Sequence, residues 1–152
     1  MTSFSSETLL IGYGNPLRGD DGIGRKVAKE ASRLWGARSL IQHQLTPEIA
    51  LILAEVDRVI FIDAACDRES VQVHSILPEE ATEPQLGHFC EPRSLLAISQ
   101  LLYGHAPQAW LIGIPTVNFE FGEGFSPIAE KGASEALQII ENLLRKDENP
   151  LG

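Results

Sequence analysis

Short apolar segments that read as strands alternate with amphipathic segments that read as helices, and this alternation restricts the possible folds more than any other feature of the sequence. Residues 59–62 (VIFI) are apolar, rich in β-branched side chains and free of polar alternation, which is typical of a central strand covered on both faces. Residues 9–12 and 109–114 are similar runs. The pattern predicts an α/β fold in which helices cover a largely parallel sheet.

The helices are predicted from apolar stripes and from capping residues. One is expected to begin near Asp21, one after Thr46-Pro47-Glu48, one at Glu91-Pro92 and one at Ser126-Pro127. Residues 71–77 alternate in polarity and predict a strand at or near an edge, and residues 39–44 predict a weaker strand. The side chains expected to face the core from the helices are Ile23, Val27, Ala31, Leu34, Leu95, Ile98, Leu102, Ile128, Leu137, Ile140 and Leu144.

Length and composition limit the function classes. A chain of 152 residues with 43% apolar and 22% charged residues fits a single domain over residues 1–152, with flexible ends expected at residues 1–6 and 146–152. A net charge of −9 excludes the electrostatic footprint of nucleic-acid binders and of polybasic membrane-surface proteins. No apolar run approaches the length of a membrane span.

The cysteine content points to the cell interior. Cys66 and Cys90 are too few for a disulfide framework, and the amino terminus lacks the basic flank of an export signal. The sequence therefore predicts a cytoplasmic protein in which both cysteines are structural. An acidic single domain of this size is expected to be a monomer.

A glycine-rich segment follows the first predicted strand. Residues 12–24 read GYGNPLRGDDGIG, which lacks both the third glycine of the dinucleotide fingerprint and the Gly-Lys-Ser/Thr of a P-loop. Asp20 and Asp21 would repel a phosphate, whereas adjacent carboxylates suit a metal cation. The alternative for this segment alone is an ordinary helix start, where acids complement the helix dipole.

Three further segments carry candidate chemistry. Asp63 directly follows the apolar run 59–62, at the carboxyl end of a strand, where open α/β sheets bind ligands. His88 precedes a predicted helix and could ligate a metal, with Cys90 as a second soft ligand. Residues 114–125 form a long loop with three phenylalanines, and such loops often bind a ligand or cover a site. For each segment a purely structural role stays open: a turn acid, a solvent-exposed histidine and a loop packed by its aromatic side chains.

Taken together, these segments resemble the [NiFe]-hydrogenase maturation endopeptidases, which trim a carboxyl-terminal extension from the hydrogenase large subunit. The similarity covers roughly residues 8–145 and includes the glycine-rich segment, VIFIDA, GHFCEPRSLLAIS, LIGIP and FGEGFSP. It implies a three-layer α/β/α sandwich around a twisted five-stranded sheet. It also implies that Asp21, Asp63 and His88 hold nickel, with Asp21 in place of a glutamate often found in relatives.

The resemblance further implies how the site is used. The large-subunit precursor would bring its own nickel, and the incomplete ligand set would bind free nickel weakly. Asp21 or Asp63 would take a proton, either beside a metal-activated water or in an aspartic-type reaction. Residues 43–48 (HQLTPE) replace the Asp-Gly-Gly-Thr-like turn of many members and resemble a subgroup associated with bidirectional hydrogenases.

Two other functions remain open from the sequence. The glycine-rich segment could belong to a nucleotide- or phosphate-binding module. The chain could instead be a non-catalytic nickel escort, although it lacks the histidine-rich tracts that such carriers often have.

Overall fold

The computed structural model describes residues 7–80 and 91–146. Within these ranges the chain forms five strands, four α-helices and a short 3₁₀ turn at Gly19–Gly22. In chain order the elements are β1 (Thr8–Tyr13), α1 (Ile23–Trp35), β2 (Arg38–Gln42), α2 (Ile49–Leu53), β3 (Arg58–Ala65), β4 (Gln72–Ile76), α3 (Pro92–Tyr103), β5 (Gln108–Pro115) and α4 (Pro127–Lys146).

The strands form one sheet in the order β2-β1-β3-β5-β4. All neighbouring pairs are parallel except β4 with β5, which is antiparallel. β3 therefore lies at the centre and β4 at an edge, as the unbroken apolar run and the polar alternation predict. The mostly parallel sheet brings the carboxyl ends of β1, β3 and β5 to one edge of the molecule.

Helices cover both faces of the sheet and complete the three layers. Leu10, Ile60 and Ile62 face α1 and α4, whereas Leu9 and Phe61 face α2 and α3. Successive side chains of a strand point to opposite faces, so a central strand must be apolar throughout to serve two cores. The expected α/β/α sandwich is thus confirmed, and each of these fully buried side chains stabilises it by about 1.5–3 kcal/mol.

Several predicted details are wrong. Leu34 is 47% exposed, because the buried stripe of α1 passes through Ala28 and Ala31 and ends on Trp35 instead. Leu102 is 64% exposed, in the last turn of α3, where the buried positions stop at Ser99.

Some element boundaries also differ. β2 ends at Gln42, and the turn that begins at Thr46 leads into an α2 of only five residues. Residue 146, expected in a flexible tail, is the last residue of α4. The other residues of the two expected flexible ends lie outside the described ranges.

In the described parts of the chain, no helix is both long enough and apolar enough to cross a bilayer.

Candidate metal and catalytic site

The glycine-rich loop, residues 14–22, connects β1 to α1 and places Asp21 at the carboxyl edge of the sheet. Gly14 has a φ of +140°, and a Cβ there would lie 2.0 Å from the Asp21 carbonyl oxygen. Only glycine allows this close approach. The carboxylate of Asp21 accepts a hydrogen bond of 2.7 Å from the Asn15 amide, so the loop itself orients this side chain.

Asp63 reaches the same edge from the carboxyl end of β3. Its Oδ1 atom accepts a hydrogen bond of 2.8 Å from the Ala64 amide. The start of α1 packs directly against this strand, since a Cβ on Gly24 would lie 3.3 Å from the Asp63 Cα atom. The two carboxylates, distant in sequence, therefore become neighbours, and Asp21 acts electrostatically on Asp63.

The surroundings of Asp63 change its acidity. The pKa of Asp63 is raised to about 6: burial and, to a smaller extent, the charge of Asp21 raise it, and they outweigh the hydrogen bonds from the Ala64 amide and the Tyr13 side chain, which lower it. A carboxyl group with a pKa close to neutrality exchanges protons readily under physiological conditions. Such a shift beside a second carboxylate is typical of functional sites.

Tyr13 is a third member of the site that the sequence analysis did not identify. Burial, the charge of Asp63 and its hydrogen bond with Asp63 all raise the pKa of the Tyr13 phenol, so the group stays neutral and donates to the carboxylate. The charge of Glu91 raises the Tyr13 pKa as well. Glu91 is the N-cap residue of α3, so α3 begins close to Tyr13. An aromatic residue between two loop glycines gave no chemical signal in the sequence.

The third expected ligand, His88, lies outside the described residues, as does Cys90. The structure therefore shows where Asp21 and Asp63 lie, and the metal-binding role of all three residues stays a prediction. Within residues 7–80 and 91–146, no cluster of three or more His, Cys, Asp or Glu side chains could hold a metal. Cys66, directly after β3, is exposed, and the structural role expected for it stays a prediction.

Asp20 has a different role from its neighbour. Both were considered as possible acids at a helix start, but Asp20 is fully buried and turns away toward the loop that follows β5. Its partner Ser126 is 106 residues away, which is why no local pattern indicated the contact. Only Asp21 is left to face the site.

Residues 43–48 (HQLTPE) border the glycine-rich loop. The Gly14 amide donates to the carbonyl oxygens of Gln42 and His43. His43 and Gln44 are exposed, whereas Leu45 is buried in the core beneath α2. The segment thus contacts the glycine-rich loop through its backbone; its link to a bidirectional-hydrogenase subgroup stays a prediction.

A cavity of about 230 Å³ lies at the opposite edge of the sheet. It is lined by Glu7, Thr8, Trp35, Gly36, Ala37, Arg38, Arg58 and Leu144, and it includes neither Asp21 nor Asp63. This cavity is therefore not part of the candidate site.

The raised pKa of Asp63 predicts a pH-dependent stability. The folded protein binds a proton at Asp63 that the unfolded chain has already lost, so stability should fall as the pH rises from about 4 to about 6. Asp63→Asn should remove this loss and raise the free energy of unfolding at pH 7 by about 2 kcal/mol. Urea denaturation of the wild type and of Asp63→Asn at pH 4.5 and pH 7 measures the free energy of unfolding. A stability difference between the two proteins that is equal at both pH values would contradict the raised pKa of Asp63.

Comparison with solved structures identifies the fold. The maturating endopeptidase HybD from E. coli aligns with 92% of this chain and 93% of its own, at 21% identity and a TM-score of 0.73. The maturation protease HycI from Thermococcus kodakarensis aligns over 93% and 94% of the two chains, at 22% identity and a TM-score of 0.68. HybD from the same archaeon aligns over 91% and 99%, at 21% identity and a TM-score of 0.65.

The fold is therefore that of the [NiFe]-hydrogenase maturation proteases, along nearly the whole of both chains. A scan with protein-family models and a search of curated proteins gave no match. The likeness thus lies in the arrangement of the elements, and the sequences have diverged widely.

Proposed function

We propose that this chain is the endopeptidase that removes the carboxyl-terminal extension of a [NiFe]-hydrogenase large subunit after nickel has been inserted. One observation carries the proposal: Asp21 and Asp63 meet at the carboxyl edge of a sheet whose fold is that of the maturation proteases. The precursor of the large subunit is then the partner. Its nickel ion is part of the substrate.

The donor groups suit nickel. Carboxylate oxygens and an imidazole nitrogen are ligands that this ion accepts, and three protein ligands leave positions for groups of the substrate. Asp21 and Asp63 would supply two of them, and His88 the third. His88 stands three residues before Glu91, whose carboxylate acts on Tyr13 at the same edge. Three residues of chain span at most about 11 Å, so the sequence allows the histidine to reach the acids.

Proton transfer would fall to Asp63. Peptide hydrolysis requires a base that takes a proton from water and an acid that returns it to the leaving amine. With its pKa raised to about 6, Asp63 is mostly ionised at neutral pH yet costs little to protonate. The Asn15 amide keeps the Asp21 carboxylate in place, and Tyr13 orients Asp63.

The loop geometry speaks against the phosphate-binding alternative. Phosphate loops leave their backbone N–H groups pointing at the ligand. Here the loop amides donate within the protein: Gly14 to Gln42 and His43, Asn15 to the Asp21 carboxylate, and Asp20 to Asn118. These backbone N–H groups already donate to the Asp21 carboxylate and to neighbouring segments of the chain, so they do not point at a phosphate.

Nickel dependence tests the proposal. Wild-type protein should shorten a nickel-loaded precursor and leave a nickel-free precursor intact, because the metal supplies the recognised group. Mass spectrometry of the intact large subunit measures the change. His88→Ala should slow cleavage by about a hundredfold, while His74→Ala, an exposed position on β4, should not change it.

Two results would count against the proposal. Failure to cut either form of the precursor would exclude the endopeptidase role. Equal cutting of both forms would exclude nickel recognition.

A further inference from the structure

The carboxylate of Asp20 accepts four hydrogen bonds from one loop. We call this loop, residues 116–126, the rim loop. Oδ2 accepts from the amides of Val117 at 2.9 Å and Asn118 at 3.1 Å and from the Ser126 hydroxyl at 2.7 Å. Oδ1 accepts from the Ser126 amide at 2.8 Å. Although burial opposes it, these bonds lower the pKa of Asp20, so the group stays ionised.

Backbone hydrogen bonds extend the same junction. The Asp20 amide donates to Asn118 at 2.7 Å and the Gly19 amide to Gly122 at 3.0 Å. In return the Gly122 amide donates to the Leu17 carbonyl at 2.8 Å. Asp20 also lies at the amino end of the 20-residue helix α4, where the helix dipole favours a negative charge. The glycine-rich loop and the rim loop therefore form one hydrogen-bonded unit.

This rigid unit displays apolar side chains to solvent. Phe121 is 82% exposed and Val117 is 66% exposed, and Leu17 on the facing loop is 52% exposed. Apolar side chains fixed on a hydrogen-bonded backbone form a preorganised contact surface, because little entropy is lost when a partner binds. The rim loop begins at the same sheet edge as Asp63, since the Thr116 amide donates a hydrogen bond of 3.1 Å to the carbonyl oxygen of Ala65, two residues after Asp63.

We propose that Asp20 is a positioning residue: it holds the rim loop so that Val117 and Phe121 contact the polypeptide substrate beside Asp21 and Asp63. The inference rests on the proposed endopeptidase function and adds the part of the site that binds the chain being cut. The Asp21 carboxylate has its own hydrogen bond from Asn15. Loss of the Asp20 contacts should therefore weaken substrate binding, with little effect on the chemical step.

Asp20→Asn tests the inference. An amide has one acceptor oxygen, so its NH₂ group would face an N–H donor of the rim loop and the loop would loosen. KM for the nickel-loaded precursor should rise about tenfold with kcat within about twofold, since hydrogen bonds to charged groups contribute about 1.5–3 kcal/mol. Hydrogen exchange at the amides of Val117, Asn118 and Ser126 should become about tenfold faster. The control is Asp57→Asn, an exposed acid that accepts from the Glu7 amide.

Two further variants test separately the hydrogen bonds that hold the rim loop and the apolar side chains that the loop exposes. Ser126→Ala removes one hydrogen bond to Asp20 and should raise KM about threefold. It tests the inference even if Asp20→Asn does not fold, and its control is Ser134→Ala, on the exposed face of α4.

Phe121→Ala should raise KM about tenfold and leave the exchange rates unchanged. Leu101→Ala, 76% exposed on α3, is the matched control.

The outcomes distinguish this inference from the function on which it rests. A wild-type protein that does not cleave the precursor would refute the endopeptidase function, and the inference with it. With an active wild type, an unchanged KM in Asp20→Asn or in Phe121→Ala would refute the inference alone. A loss confined to kcat in Asp20→Asn would do the same, because it would assign Asp20 to the chemical step.

Discussion

Asp63→Asn should lower kcat for the nickel-loaded precursor by about 10²–10⁴-fold while the protein stays folded. General acid–base catalysis by one side chain contributes about this factor. Asparagine keeps the shape and the acceptor oxygen for the Ala64 amide, but it cannot take a proton and is a poor ligand for nickel. The rate of appearance of the shortened large subunit, followed by mass spectrometry, gives kcat.

Asp67→Asn is a matched control. Asp67 follows β3, is exposed and has a φ of +57°, a conformation that asparagine adopts readily. This variant should cleave at the wild-type rate. If Asp63→Asn kept more than about a tenth of the wild-type kcat, Asp63 would not be the proton-transfer group. Since the same variant is expected to be more stable at neutral pH, lost activity could not be attributed to unfolding.

Gly12→Ala should destabilise the protein by about 3 kcal/mol and impair cleavage as well. Gly12 lies in β1 where α1 crosses it: an added Cβ would stand 2.4 Å from the Gly24 carbonyl oxygen and 2.7 Å from the Ala28 Cβ atom. Both neighbours are fixed by the core, so α1 has to shift. Because α1 and the turn before it position Asp21 against Asp63, a displacement of about 1 Å should reduce kcat by about a hundredfold.

Urea denaturation followed by circular dichroism measures the loss of stability in Gly12→Ala, and the cleavage rate measures the fall in kcat. Gly36→Ala serves for comparison, because Gly36 ends α1 with a φ of +69° and an added Cβ would meet no atom within 4 Å. Backbone strain alone should cost about 1 kcal/mol there and leave cleavage unchanged. A Gly12→Ala protein no less stable than Gly36→Ala would show that the helix can move away without penalty.

Local patterns were sufficient for the layered fold. A strand buried on both faces must be apolar at every position, and a helix that covers it must repeat its apolar residues at helical spacing. The elements β3, β5 and α1 can therefore be predicted from the sequence. The edge position of β4 follows from polar alternation in the same way. Leu34 was misassigned because the buried stripe of α1 passes through Ala28 and Ala31 to Trp35, and Leu102 because the buried positions of α3 stop at Ser99.

The site was only partly predictable, because some of its residues are brought together by contacts between different strands. Asp21 and Asp63 each follow a strand, and the carboxyl ends of parallel strands share an edge, so their meeting could be expected from sequence order. The resemblance to the maturation endopeptidases added His88, which lies outside the described residues and stays a prediction. Tyr13 had no distinguishing pattern, because its importance comes from a neighbour on another strand.

The order of residues along the chain thus fixes which segments are strands and helices, and which acids follow them, since these properties depend on neighbours a few positions away. The different roles of Asp20 and Asp21 arise only in the folded protein. These adjacent, identical side chains differ because Asp20 accepts four hydrogen bonds from a loop that follows β5, whereas Asp21 is half-buried and acts on Asp63. Such contacts join residues that only packing brings together.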